Sequence, residues 1–293
     1  MKALPLLFLA FLGAPAVAHD GRPHEAPGWT LDPLLLGPLL LLLVLYVVGA
    51  RRLWRRSDQG RARHRRTSWL FLSGWGVLAL SVISPLHEAG ERSFALHMIE
   101  HELIMLVATL LLASSAAGGA LAWGLPRRLR TIATGWPARL WRAVTEPVTA
   151  TVLQAVALIA WHLPLLFDLA LQNRVMHILQ HASFVLTSLL FWWAMLHARG
   201  DRTRFGLSAA CLFVTSLVGG VLGALMAVSS SPWYAPYAAM SLTGIGLDPA
   251  ADQQLAGLIM WIPGGLVHAG AALLFFHRWL KAAEDSHALA PQQ

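Results

Sequence analysis

A single cysteine, Cys211, occurs in the 293 residues, and only 13% of the residues are charged. One thiol cannot build a disulfide, a Cys-x-x-Cys metal hook or an iron–sulfur cluster within a subunit, so an intramolecular thiolate site is excluded. The scarcity of charge, set against 56% hydrophobic residues and a mean hydropathy of +0.57, does not suit a soluble domain of this length. Lipid is the solvent of most of the chain. A His-Glu-x-x-His zinc-protease motif is also missing, because residues 97–101 read His-Met-Ile-Glu-His, and there is no nucleophile motif. With no internal repeat and no Gly/Ser linker, one helical bundle is the simplest architecture.

What is present is long apolar runs. Met1-Lys2, an apolar stretch from Leu4 to Val17 and Ala16-Val17-Ala18 ahead of His19-Asp20 describe a secretory signal peptide cleaved after Ala18. Seven further runs follow, at about 33–50, 68–84, 94–122, 148–171, 174–197, 206–229 and 253–276, each close to or above the roughly 20 residues a spanning helix needs. The expected fold is an all-α polytopic membrane bundle. Its expected divisions are a signal peptide (1–18), an extracytoplasmic leader (19–32), the transmembrane bundle (33–280) and a cytoplasmic tail (281–293).

Basic residues orient the bundle. Arg51, Arg52, Arg55, Arg56, Arg61, Arg63, Arg65 and Arg66 follow the first run, and Arg127, Arg128, Arg130, Arg139 and Arg142 follow the third. Arg199, Arg202 and Arg204 follow the fifth, and Arg278 and Lys281 the seventh, whereas the alternate connections hold only Arg22, Arg92 and Arg174. The positive-inside bias predicts a mature N-terminus outside and a C-terminus in the cytoplasm of a bacterial inner membrane. Because topology accounts for the +7 charge, no nucleic-acid partner is expected, and lipid is the surrounding medium. The connection at about 230–252, rich in aromatics, Pro and Gly, suits a lid at the outer interface.

Five of the thirteen histidines lie in apolar runs in a patterned way: His97 and His101, His177 and His181, and His162. Both pairs have i,i+4 spacing, which puts two imidazoles on one helix face. At 1.5 Å per residue, His101 and His181 should sit about 10 Å below the outer helix ends, with His162 a little deeper. Ionisable groups in lipid are costly and usually functional, and a metal is the natural reason to gather neutral imidazoles. A mixture of imidazole and thioether suits copper, and Met98, Met105 and Met176 flank the same turns while Met260 lies on the seventh helix. Glu100, Glu102 and Asp252 are candidates to hydrogen-bond ligand imidazoles or relay protons, and Asp252 is equally placed to cap the last helix. Cleavage after Ala18 would also leave an N-terminal His19, with His24 nearby, able to chelate copper.

Five stretches in order resemble the CtaG-type cytochrome c oxidase assembly factor family. They are Ser84-Pro85, His97-Met98-Ile99-Glu100-His101, Trp161-His162-Leu163-Pro164, His177-x3-His181 leading into Phe191-Trp192-Trp193, and the run Asp252-Gln253-Gln254-Leu255-Ala256-Gly257-Leu258-Ile259-Met260-Trp261. The resemblance spans about residues 68–276. It implies a membrane factor that binds copper and inserts it at the buried copper centre of the haem–copper oxidase catalytic subunit, receiving it from an extracytoplasmic copper donor. It further implies a metal role for His97, His101, His162, His177, His181, Met260 and Asp252, and a chaperone rather than an enzyme. Two other classes stay open at this point: a haem b electron-transfer protein using paired histidines, and a copper permease using His268 beside Pro263-Gly264-Gly265.

Overall fold

The computed structural model describes residues 27–55, 61–130, 136–197 and 202–288, and among them there are helices and no strand. Residues 1–26, with the expected signal peptide, His19 and His24, lie outside the described residues. In chain order the helices are α1 (Pro33–Trp54), α2 (Arg61–Ile83), α3 (Pro85–Gly90) and α4 (Phe94–Glu102), which runs through a π-helical segment (Leu103–Ala108) into α5 (Thr109–Ser115). Then come α6 (Gly118–Gly124), α7 (Arg127–Arg130), α8 (Trp136–Val144), α9 (Pro147–His162), α10 (Pro164–Gln172), α11 (Arg174–His197), α12 (Arg202–Val228), α13 (Ala235–Ala238) and α14 (Pro249–Ala288). Among the described residues six helices are long and apolar enough to cross a membrane, and there are seven spans if α8 and α9, bent by 72° at their junction, count as one.

The spans are sorted by which face is polar. On α9 the exposed Val148, Val152, Val156 and Ile159 recur at helical spacing, while Thr151, Gln154 and His162 are buried. On α11 the exposed Val175, Leu179 and Leu186 face away from buried His177, Gln180, His181 and Ser188. Apolar surface outside and polar groups inside is the arrangement hydrocarbon demands, because a polar side chain facing lipid has no partner. The span Phe94–Ser115 is the centre of the bundle: 61% of its apolar window is buried, against 17–33% for the other unbroken spans.

Three chain breaks depart from the sequence reading. The run at 148–171 is two helices, because Pro164 drives Leu163 to an extended conformation (ψ 131°) and ends α9 at His162. The run at 94–122 stops at Ser115, where Ala116 turns left-handed (φ 50°) and α6 starts afresh. Within that run Thr109 N–H bonds to Ile104 O, five residues back, and Met105 O is taken instead by Thr109 Oγ1 (2.6 Å) and Trp192 Nε1 (3.0 Å). The last run is longer than expected, continuing through Pro263 to Ala288, so the expected tail boundary at 280 falls inside α14.

One end of the bundle is closed by hydrogen bonds between helix termini. Thr30 N–H donates to Ile83 O (2.9 Å), Tyr234 Oη to His162 O (3.1 Å), Tyr237 Oη to Gly90 O (2.6 Å), and Gly244 N–H to Arg92 O (2.7 Å). Asp32, the N-cap of α1, takes a two-pronged ion pair from Arg174 at the start of α11. Burial favours a neutral Asp32, but the Arg174 hydrogen bond and charge outweigh it and hold the carboxyl below its usual range. The residues of the expected lid thus lie folded onto this end, with Tyr234 and Tyr237 buried. At the opposite end, where α1 finishes with Arg51 and Arg52, Arg52 Nη1 donates to Trp123 O (2.7 Å).

Glycine permits a close helix crossing between α12 and α14. At the α12–α14 contact, a Cβ on Gly223 would stand 2.8 Å from Gly257 O, and one on Gly257 would stand 2.5 Å from Gly223 O. Backbones this close gain dispersion contacts that lipid cannot replace. Gly257→Leu should therefore force the helices apart at a cost of about 1–3 kcal/mol, measured as a lower midpoint of thermal unfolding in detergent. An unchanged midpoint would show that the crossing carries no such constraint.

Candidate metal centre

Five imidazoles meet at the closed end, with His162 at their edge. His97 and His101 project from one face of α4 and His177 and His181 from one face of α11, as the i,i+4 spacings require. Their ring centroids lie 4.2 Å (His97–His101), 4.6 Å (His177–His181), 5.2 Å (His101–His181) and 5.6 Å (His97–His177) apart. The fifth, His87, comes from α3 and packs 5.0 Å from His177 and 5.4 Å from His181. All six, His162 included, are between 1% and 9% exposed.

His87 was not among the sequence candidates, because it lies in a connection rather than an apolar run. A local signal for it exists: Ser84 is an N-cap whose hydroxyl accepts from Leu86 N–H, followed by Pro85 at the first helical position, which marks a short helix folding back over the bundle. Gly90 lets this helix approach, since a Cβ there would stand 3.2 Å from His97 Cα. His87 Nδ1 is 2.8 Å from Glu100 Oε1, and His181 Nδ1 is 3.6 Å from the same oxygen. Burial favours neutral His87, but the Glu100 hydrogen bond and charge raise its pKa above the ordinary imidazole value.

Two groups within the cluster have metal-binding geometry: His87, His177 and His181, and His97, His101 and His181, each with candidate ligand nitrogens within 4.8 Å of one another. The donor set also shows unmet demand. Both ring nitrogens of His97, His101 and His181 and the Nε2 atoms of His162 and His177 are buried without a hydrogen-bond partner. At about 1–3 kcal/mol for each buried polar atom left unpaired, such a cluster would consume much of the roughly 5–15 kcal/mol that keeps a domain folded. An ion that accepts imidazole lone pairs fits it.

The other sequence candidates fall elsewhere. His162 ends α9 at the edge of the cluster, with Nδ1 on Leu158 O (2.8 Å) and its ring centroid 6.4 Å from that of Phe184, which in turn packs on His101. Both Asp252 oxygens are occupied: Oδ1 accepts from Ser93 Oγ (2.8 Å) and Oδ2 from Phe94 N–H (2.6 Å). Asp252 therefore caps α4, the helix that carries His97, while Asp248 caps α14 by accepting from Ala250 and Ala251 N–H. Met260 lines a small cavity with Glu102, Met105, Gln154, Trp192 and His268. In that cavity Glu102 faces Gly264, where an added Cβ would be 3.5 Å from its Oε2, and His268 Nδ1 bonds Gly264 O (2.8 Å). Cys211 is buried in an apolar cluster with Phe191, Trp192 and Leu212 and belongs to neither imidazole group.

Helix composition, span number and a buried imidazole cluster define a polytopic membrane protein organised around a candidate metal site. Residues 44–282 match the family described as cytochrome c oxidase caa3 assembly factor (Caa3_CtaG), and the chain belongs to that family. Its role is therefore in cytochrome c oxidase assembly. No curated protein and no solved structure matches the chain.

The capping role of Asp252 separates stability from metal binding. Asp252→Ala should cost about 1–2 kcal/mol of stability, as loss of an N-cap does, and leave metal stoichiometry unchanged in the protein that remains folded. A folded variant that has lost metal would instead make the carboxylate part of the site.

Proposed function

We propose that the chain binds copper in the imidazole cluster and passes it to the buried copper centre of a haem–copper oxidase catalytic subunit docked beside it in the membrane. The observation that carries this reading is the pair of buried imidazole triads, in which both ring nitrogens of His97, His101 and His181 and Nε2 of His177 lack hydrogen-bond partners. An oxidase assembly factor with such a site has a plain use for it. The chain would act as a chaperone with no bond-making step of its own, and copper would be its cargo.

The donor set favours the cuprous ion. The cost of burying an ion grows with the square of its charge, so a monovalent ion enters an apolar bundle far more cheaply than a divalent one. Imidazole is a good ligand for copper, and the single carboxylate that touches the cluster, Glu100, balances one positive charge. The arginine distribution supports an orientation with the cluster just beneath the extracytoplasmic face of a bacterial inner membrane, after removal of residues 1–18. Copper would then arrive from an extracytoplasmic donor, with the 230–252 connection covering the site between transfers.

The two rivals have less behind them. Haem b needs a slab of space between its axial histidines, whereas the rings here pack against one another with centroids 4.2–5.6 Å apart. A permease reading draws on the cavity that Glu102 and His268 line toward the other half of the bundle; two ionisable groups are a short path for an ion crossing the whole bilayer.

Metal analysis and a visible spectrum of detergent-purified protein test the reading. Wild type should carry copper without haem bands, and the fourfold variant His97→Ala, His101→Ala, His177→Ala, His181→Ala should lose it. In cells, the same variant should lower cytochrome c oxidase activity and the copper content of the purified oxidase. Haem bands in the wild type would overturn the proposal in favour of a cytochrome, and copper uptake into sealed vesicles by the purified protein would overturn it in favour of a permease.

A further inference from the structure

We infer that the cluster is two copper stations sharing one ligand, His181, and that a single ion moves between them; the inference rests on the copper reading above. The two imidazole triads have His181 in common. The first station, His87, His177 and His181, is the shallower one, since His87 and His177 are each 9% exposed. The second, His97, His101 and His181, is sealed, with His97 and His101 each 1% exposed. An ion arriving from water meets the first before the second.

The sharing of His181 sets the occupancy. One imidazole cannot complete two three-coordinate sites at full strength, and two cations held on either side of one ring would repel each other in surroundings where water cannot screen them. Glu100 Oε1 lies 2.8 Å from His87 Nδ1 and 3.6 Å from His181 Nδ1, and its one negative charge balances one monovalent ion. The cluster therefore holds one ion at a time.

The transfer is a ligand exchange without electron movement. His181 stays bound while the bonds to His87 and His177 break and those to His97 and His101 form, so three nitrogens hold the ion at both ends. The stacked rings of His97 and His177, 13° from parallel with centroids 5.6 Å apart, put the exchanging ligands side by side. His87 donates its Nδ1 proton to Glu100, which leaves Nε2 as its ligating atom. Glu100 holds the ring of one station while touching the ligand common to both. Loading thus begins at the water-accessible station, and the ion rests in the sealed one until an oxidase subunit takes it.

The test is an anaerobic titration of the full chain in detergent with copper(I), followed by capture with a chromophoric copper(I) chelator. Wild type should bind one ion. His87→Ala with His177→Ala should still bind one ion but load about tenfold more slowly, and His97→Ala with His101→Ala should still bind one ion but surrender it to the chelator about tenfold faster. Where an alanine pair does not elute as a single helical species, the glutamine pair at the same positions takes its place. Two ions on the wild type overturn the shared ligand. Loss of the ion from one double variant alone means a single site, which overturns the stations and leaves the copper reading standing. A wild type that binds no copper overturns that reading, and the stations with it.

Discussion

A polar group facing hydrocarbon has no water to bond, and this constraint orders the bundle. Valines, leucines and isoleucines turn outward on α9 and α11, so Gln154, His162, His177, Gln180 and His181 must turn inward. The central span meets them with His97, Glu100 and His101. Once every helix buries its polar stripe, the stripes converge inside the bundle. The imidazole cluster is one such place, and its members satisfy one another so poorly by hydrogen bonding that a ligand for their lone pairs is the natural complement.

The breaks in the helices shape the site as much as the helices do. Pro164 ends α9 at His162, and Ser84-Pro85 starts the short α3 that lays His87 over the cluster. Asp252 reaches from the last span to cap α4 at Phe94, the residue after its Ser93 N-cap, which locks the starting register of the helix carrying His97 and His101. The π-helical segment that follows directly after those histidines hands Met105 O to Trp192 on α11, tying together the two helices that supply four of the imidazoles. Such irregularities persist in a membrane only when neighbouring groups take up the freed backbone atoms, as they do here.

Membership of the caa3 oxidase assembly family gives this geometry a use. An assembly factor must hold its cargo and then give it up. On the proposed copper reading, neutral imidazoles in an apolar bundle would hold a monovalent soft ion without trapping it as a thiolate cage would, and the cluster lies near one end of the bundle, beneath a connection that buries Tyr234 and Tyr237.

Much of this was legible in the sequence, because its signals are local. Apolar runs reported the spans, arginines reported that alternate connections belong to one side, and i,i+4 spacing reported that His97 with His101, and His177 with His181, share faces. His87 was not legible as a site residue: its place over the cluster depends on a close backbone approach at Gly90 and a contact with Glu100, neither of which follows from spacing. Asp252 could be read only as a cap or a partner to the ligands, and its real bonds are to a helix 158 residues away in sequence. Met260, which the family resemblance implied as a ligand, looks into a different cavity. Sequence alone determined which groups had to be buried, since that follows from composition and helical period. Tertiary structure decided which of them touch, because lateral order in a bundle is set by the packing of side chains from distant helices, and no local period encodes it.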